Sequence, residues 1–119
     1  MKENIIKVKS FAFAKETVMF AQFLQTEKKE YVLSKQLLKS GTAIGALVRE
    51  AEQAESKADF IHKMSIALKE ANETEYWIEL LYQTGYMNKE TYSAILERLT
   101  ELLKLLTSII KTSKASSSV

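Results

Sequence analysis

Apolar residues recur along this chain at helical spacing in four successive stretches, each bounded by polar or glycine-containing segments. In the first, Phe11, Ala14, Val18, Ala21 and Leu24 share one side, and Phe13, Phe20 and Phe23 widen the stripe. Ser10 is placed to cap this helix, and the polar run Thr26-Glu27-Lys28-Lys29-Glu30 predicts the turn that ends it. A second helix carries Leu33, Leu37, Ser40, Ile44, Leu47 and Ala51, at alternating spacings of four and three.

Ser56 followed by Asp59 resembles a capping box with Asp in the place of Glu, which predicts a third helix starting there. Its face is Phe60, Met64, Ala67, Ala71 and Ile78. Thr84-Gly85-Tyr86 predicts its stop, with Gly85 in the left-handed conformation and Tyr86 folding back on Leu81. Asn88 caps a fourth helix whose apolar positions are Tyr92, Ile95, Leu96, Leu99, Leu102, Leu103, Leu106, Ile109 and Ile110. That stripe is wider than a simple coiled-coil seam, so the helix can feed a core and still leave an apolar edge for a neighbour. Short turns between long helices predict an all-α, antiparallel up-and-down four-helix bundle. The 119 residues form a single domain, with 1–9 and 112–119 as flexible ends.

Composition agrees with this pattern and removes several chemistries. The chain has no proline, as expected of uninterrupted helices. It has no cysteine, which excludes disulfides, thiolate metal sites and cysteine nucleophiles. The polar start MKENIIKVKS lacks the apolar segment of a signal peptide. Leu102–Ile110 is interrupted by Lys104, Thr107 and Ser108 and is too short to span a membrane. A cytoplasmic location is the expectation.

Charge is unevenly spread. Residues 1–39 hold eight lysines against four glutamates, residues 40–79 four basic against eight acidic residues, and residues 80–119 five against three. An acidic centre between basic ends is either an aid to pairing of protomers or a set of solvated helix faces. Lys2, Lys7, Lys9, Lys15, Lys28, Lys29, Lys35 and Lys39 together offer a basic surface in an oligomer. Lys28, Lys29, Lys35, Lys39 and Arg49 are the candidate contacts to an RNA or DNA backbone.

The remaining candidates point to packing. Gly41 and Gly45 lie one helical turn apart among Ser40, Thr42, Ala43 and Ala46. Each glycine costs a helix interior about 1 kcal/mol relative to alanine, which close approach of another helix offsets, within the chain or between chains. No strand precedes them and no GKS or GKT follows, so a phosphate loop is excluded. Trp77, beside Tyr76, is a core or interface anchor, and Leu99, Leu103 and Leu106 are assigned to helix packing or an oligomer contact. His62 is the sole histidine, and the two Glu-x-x-His motifs of a di-iron bundle are absent. Glu70, Glu73 and Glu79 are read as exposed or structurally paired carboxylates rather than acid–base catalysts. No catalytic residue, metal ligand or cofactor is expected.

NIIKVKSFAFA, EKKEYVLSKQLLKSGTAIGA, SKADFIHKMSIALKEANETEYWIELL and LTSIIKTSK, taken in order, strongly resemble the bacterial four-helix bundle proteins related to the 23S ribosomal RNA intervening-sequence protein. The resemblance implies a left-handed up-and-down bundle that assembles into a homopentameric ring. It implies no established enzymatic activity. A more distant relative by fold, the accessory protein of diversity-generating retroelements, binds nucleic acid and reverse transcriptase. Relatives commonly read SGTSIGAN followed by an acidic pair, where this chain has Ala43, Leu47 and Arg49. A polar site built on those positions would be lost or weakened here, whereas a packing role would tolerate the change. Two functions stay open: a ring that binds nucleic acid, and a structural or protein-interaction scaffold that does not.

Overall fold

The computed structural model describes residues 2–117, with side chains described from 5 to 116. Four helices run in order: α1 (Lys2–Thr26), α2 (Leu33–Glu52), α3 (Lys57–Gln83) and α4 (Lys89–Ser117). No strand occurs among the described residues. Cross-helix contacts show that chain neighbours are antiparallel. Gly41 of α2 lies against Thr17 of α1, while the later Gly45 lies against the earlier Ser10. Likewise Ser40 meets Thr74 near one end of the α2–α3 seam, and Glu50 meets Lys63 near the other. Each helix packs on its neighbours in sequence, and α1 closes on α4; among the described residues no Cα atoms of the diagonal pairs come within 8 Å. The result is an elongated bundle of 52 × 22 × 19 Å.

Local chemistry sets the helix ends. Ser56 Oγ accepts the Asp59 N–H at 3.0 Å, and the Asp59 carboxylate accepts the N–H of Glu55, one residue earlier than in a standard capping box. At the end of α3 the Tyr86 N–H bonds the Leu81 carbonyl and the Gly85 N–H bonds that of Tyr82. With Gly85 at φ 86°, this is a Schellman turn. Asn88 Oδ1 accepts the Thr91 N–H at 2.8 Å and starts α4.

The beginning of α1 differs from expectation. Ser10 is no cap: it is buried in mid-helix and its hydroxyl donates to the Lys7 carbonyl. The helix reaches back to Lys2, with Ile6 fully buried. Ile6, Ser10, Phe13, Thr17, Ala21 and Leu24 form its inner seam, so the helical pattern begins earlier than the phenylalanines suggest. Residues 112–117 are the last turns of α4; Met1, Ser118 and Val119 lie outside the described residues. On α2 the fully buried position is Val48, and Leu47 flanks it half-buried.

One core runs the length of the bundle and includes Phe13, Leu37, Ile44, Met64, Ile78, Leu99 and Leu106. Each such side chain contributes roughly 1.5–3 kcal/mol by leaving water. Hydroxyls interrupt the core where helices come close. Ser40 and Thr74 are both fully buried, with their oxygens 3.0 Å apart across the α2–α3 seam, and Thr74 donates to the Glu70 carbonyl.

Candidate nucleic-acid interface

The α1–α2 turn and the exposed side of α2 carry all five predicted contact residues, four of them at the turn or near the start of α2. The turn is shaped by Lys29, whose backbone is left-handed at φ 54°, a conformation costly for a residue with a Cβ. Beyond it, Glu30 folds over the start of α2. One carboxylate oxygen accepts the N–H groups of Val32 and Leu33 at 3.1 and 2.9 Å, and the other accepts that of Ser34 at 2.7 Å. Three of the open donors of a helix start are thus met by one side chain. Partial burial pushes the Glu30 carboxyl up, but the bonds from Leu33, Ser34 and Val32 outweigh it and hold its pKa below the ordinary value. The sequence placed Glu30 only in a polar turn; no cap preference marks it.

Lys28, Lys29, Lys35 and Lys39 are exposed, and none meets a carboxylate among the described residues. Lys28 and Lys29 project at the turn, with the Lys28 ammonium 5.9 Å from the Phe23 ring centre. Lys35 and Lys39 lie one turn apart on α2. Arg49 stands apart: ten residues farther along α2, about 15 Å at helical rise, its guanidinium lies 4.9 Å over Phe11. Lys15 approaches the same ring at 5.3 Å.

Other cations sit on seams between helices. Lys7 pairs with Glu52 at 3.1 Å, Lys9 with Glu101 at 2.9 Å, Lys63 with Glu50 at 2.9 Å and Arg98 with Glu16 at 2.6 Å. The Glu50 bond and charge raise the Lys63 pKa. Lys7 and Lys9 are therefore already neutralised, while the four lysines of the α1–α2 end are not.

The glycines face α1 of their own chain. A Cβ on Gly41 would stand 2.6 Å from Thr17 Cγ2, and one on Gly45 would stand 3.3 Å from the Ser10 carbonyl oxygen. Leu99 and Leu106 are fully buried in the monomer, and Leu103 is half-buried at the edge of the core. Trp77 is also half-buried, edge-on to the exposed Tyr76, and its indole N–H has no hydrogen-bond partner among the described residues. Tyr82 stacks on Tyr92 at 3.9 Å, and the Tyr92 hydroxyl donates to Glu79 at 3.0 Å. That bond raises the Tyr92 pKa. His62 is exposed, and no three metal-binding side chains converge among the described residues. No helix among them is long and apolar enough to cross a membrane.

The four-helix chain matches the family model of the 23S rRNA-intervening sequence protein over residues 2–108. It belongs to that family. A solved structure from Bacteroides thetaiotaomicron, described as a protein of unknown function from the S23 ribosomal protein family, is 59% identical, covering 93% of this chain and 99% of its own. Its TM-score to this fold is 0.92. No functionally curated protein matches the chain. Family membership fixes the architecture; the relative's description assigns no activity that the lysines or the carboxylates could be tested against.

Proposed function

We propose that this member of the intervening-sequence protein family is a non-enzymatic cytoplasmic bundle. It self-associates into a ring, pentameric by family resemblance, and contacts the backbone of RNA or DNA through Lys28, Lys29, Lys35 and Lys39. The observation that carries this reading is the unequal pairing of its cations. Those on helix seams are spent on glutamates, whereas these four, like several other exposed cations, have no carboxylate partner among the described residues, and they gather at the α1–α2 turn and the adjoining start of α2. Unpaired ammoniums release counterions from phosphates without reading sequence. One copy offers few such contacts; a ring repeats them and gains avidity. Arg49, held over Phe11, is secondary in this reading.

Fluorescence anisotropy with a structured RNA at rising salt tests it. Four phosphate contacts per copy predict that log K falls by roughly 3–4 per tenfold rise in salt, and that changing all four lysines to glutamine abolishes binding. Absence of binding at low salt, or binding that salt does not weaken, overturns the proposal. The second reading, a scaffold that binds only proteins, is favoured by the apolar outer side of α1, where Val8 and Met19 are each 69% exposed. It predicts a stable oligomer without affinity for nucleic acid.

A further inference from the structure

We propose that the cavity beside the α1–α2 turn takes one unpaired nucleobase, so that the preferred ligand of this chain is a single strand or a loop. The inference rests on the reading that Lys28, Lys29, Lys35 and Lys39 contact a phosphate backbone, and adds which form of nucleic acid they favour. The cavity, of about 370 Å³, lies where the end of α1 meets the α3–α4 turn. Phe20 and Phe23 of α1 and Tyr86 of the turn line it, together with Lys28, Asn88 and Thr91. One of the four lysines is thus part of its wall.

The wall combines flat rings with unspent polar groups. Phe20 and Phe23 are tilted by 34° with ring centres 5.7 Å apart, and Phe23 is 40% exposed. An aromatic face left in water accepts any base, because every base has a π-face. Asn88 spends its Oδ1 on the Thr91 N–H. Its amide N–H groups and the hydroxyls of Thr91 and Tyr86 meet no protein partner among the described residues. Such donors and acceptors match the edge of an unstacked base, which pairing occupies in a duplex. The Lys28 ammonium lies 5.9 Å from the Phe23 ring centre, a loose contact. Its flexible stem lets it swing to the phosphate while the base takes the ring. Charge alone does not select this place, since Lys28, Lys29 and Lys89 lie with Glu27, Glu30 and Glu90 at this end. Glu30 is folded onto the start of α2, however, and Glu90 lines the adjoining groove. Phosphates are therefore led past Lys28 and Lys29, and stacking decides what enters the cavity. A duplex must first extrude a base, at a cost that a single strand avoids.

Fluorescence anisotropy of the full chain with a labelled oligoadenylate RNA, alone and paired to its complement, tests the assignment. The comparison is made at raised salt, where the denser charge of the duplex counts least. The native chain should bind the single strand roughly tenfold more tightly than the duplex. F23L, with an unchanged circular dichroism spectrum, should lose that preference while its affinity for the duplex stays the same. F23Y, which keeps a stacking face, should retain it. Equal affinity of the native chain for the two forms, or a loss in F23L that both forms share, overturns the cavity assignment and leaves the phosphate contact standing. So does a preference that F23L keeps or F23Y loses. Absence of binding to either form at low salt overturns the phosphate contact itself, and this inference with it.

Discussion

Helix α1 meets its two neighbours in different ways. Against α2 the contact is close: Gly41 leaves room for Thr17, and Gly45 lets the Ser10 carbonyl approach. Against α4 the contact is the sparsest in the bundle and is made by long side chains, with Lys9–Glu101 and Arg98–Glu16 reaching across. A groove of about 490 Å³ lined by Met19, Phe20, Phe23 and Ile95 opens between them. A glycine seam fixes a distance, because backbone and β-branched atoms do not yield. An ion-paired seam fixes only a preference, because long side chains re-aim at little cost.

The sharpest way to break this contrast is Gly41→Ala. The added Cβ would stand 2.6 Å from Thr17 Cγ2 and 2.8 Å from its Oγ1, and that hydroxyl is tied to the Phe13 carbonyl at 2.9 Å. At 2.6 Å the overpacking lies at the upper end of its usual range, about 3 kcal/mol, and exceeds the helix-propensity gain of about 1 kcal/mol. A net loss near ~2 kcal/mol in chemical denaturation is expected. Thr17→Ala added to it should recover much of that loss, as a non-additive pair. Additive behaviour would mean that the helices separate freely and that the seam is no tighter than its counterpart.

The α1–α2 seam also depends on the turn that starts α2. Glu30→Ala removes the acceptor of three backbone N–H groups, and a loss of about 1–2 kcal/mol at neutral pH is expected. The pH dependence has a definite sign. The folded-state pKa of Glu30 is depressed, so its contribution is complete above the unfolded carboxyl value and fades as pH falls through the lower folded one. Native and variant stabilities should therefore converge below about pH 4. A difference that persists in acid would assign the effect to packing rather than to the carboxylate.

Much of this architecture is legible in the sequence, and the reasons for the gaps are physical. Ser56, Gly85 and Asn88 end or start helices through bonds to residues three to five positions away, so local reading finds them. Ser10 misleads because a serine in a buried seam and a serine at a helix start look alike until the neighbouring helix is known. Glu30 is hidden because its role depends on the left-handed backbone at Lys29. The exposure of Lys28, Lys29, Lys35 and Lys39 could be anticipated from their polar surroundings. Their lack of carboxylate partners could not, since pairing is decided by which helix lies opposite. Arg49 shares their charge, but the distance along α2 separates it.

The smallest effect is expected at the shortest ion pair. Arg98 Nη2 lies 2.6 Å from Glu16 Oε2, and Arg98 also donates to the Ala94 carbonyl at 3.0 Å. Their side chains are 50% and 31% exposed, so solvent screens the attraction. The other Glu16 oxygen is buried with no partner among the described residues, which sets a desolvation cost against the pair. Arg98→Ala should cost no more than about 0.5 kcal/mol, and molar salt should erase even that difference. A loss of ~2 kcal/mol, equal to that for Gly41→Ala, would show that the α1–α4 seam is fixed as firmly as the glycine seam. Distance alone does not rank these contacts; what decides is whether the atoms that touch are free to move away.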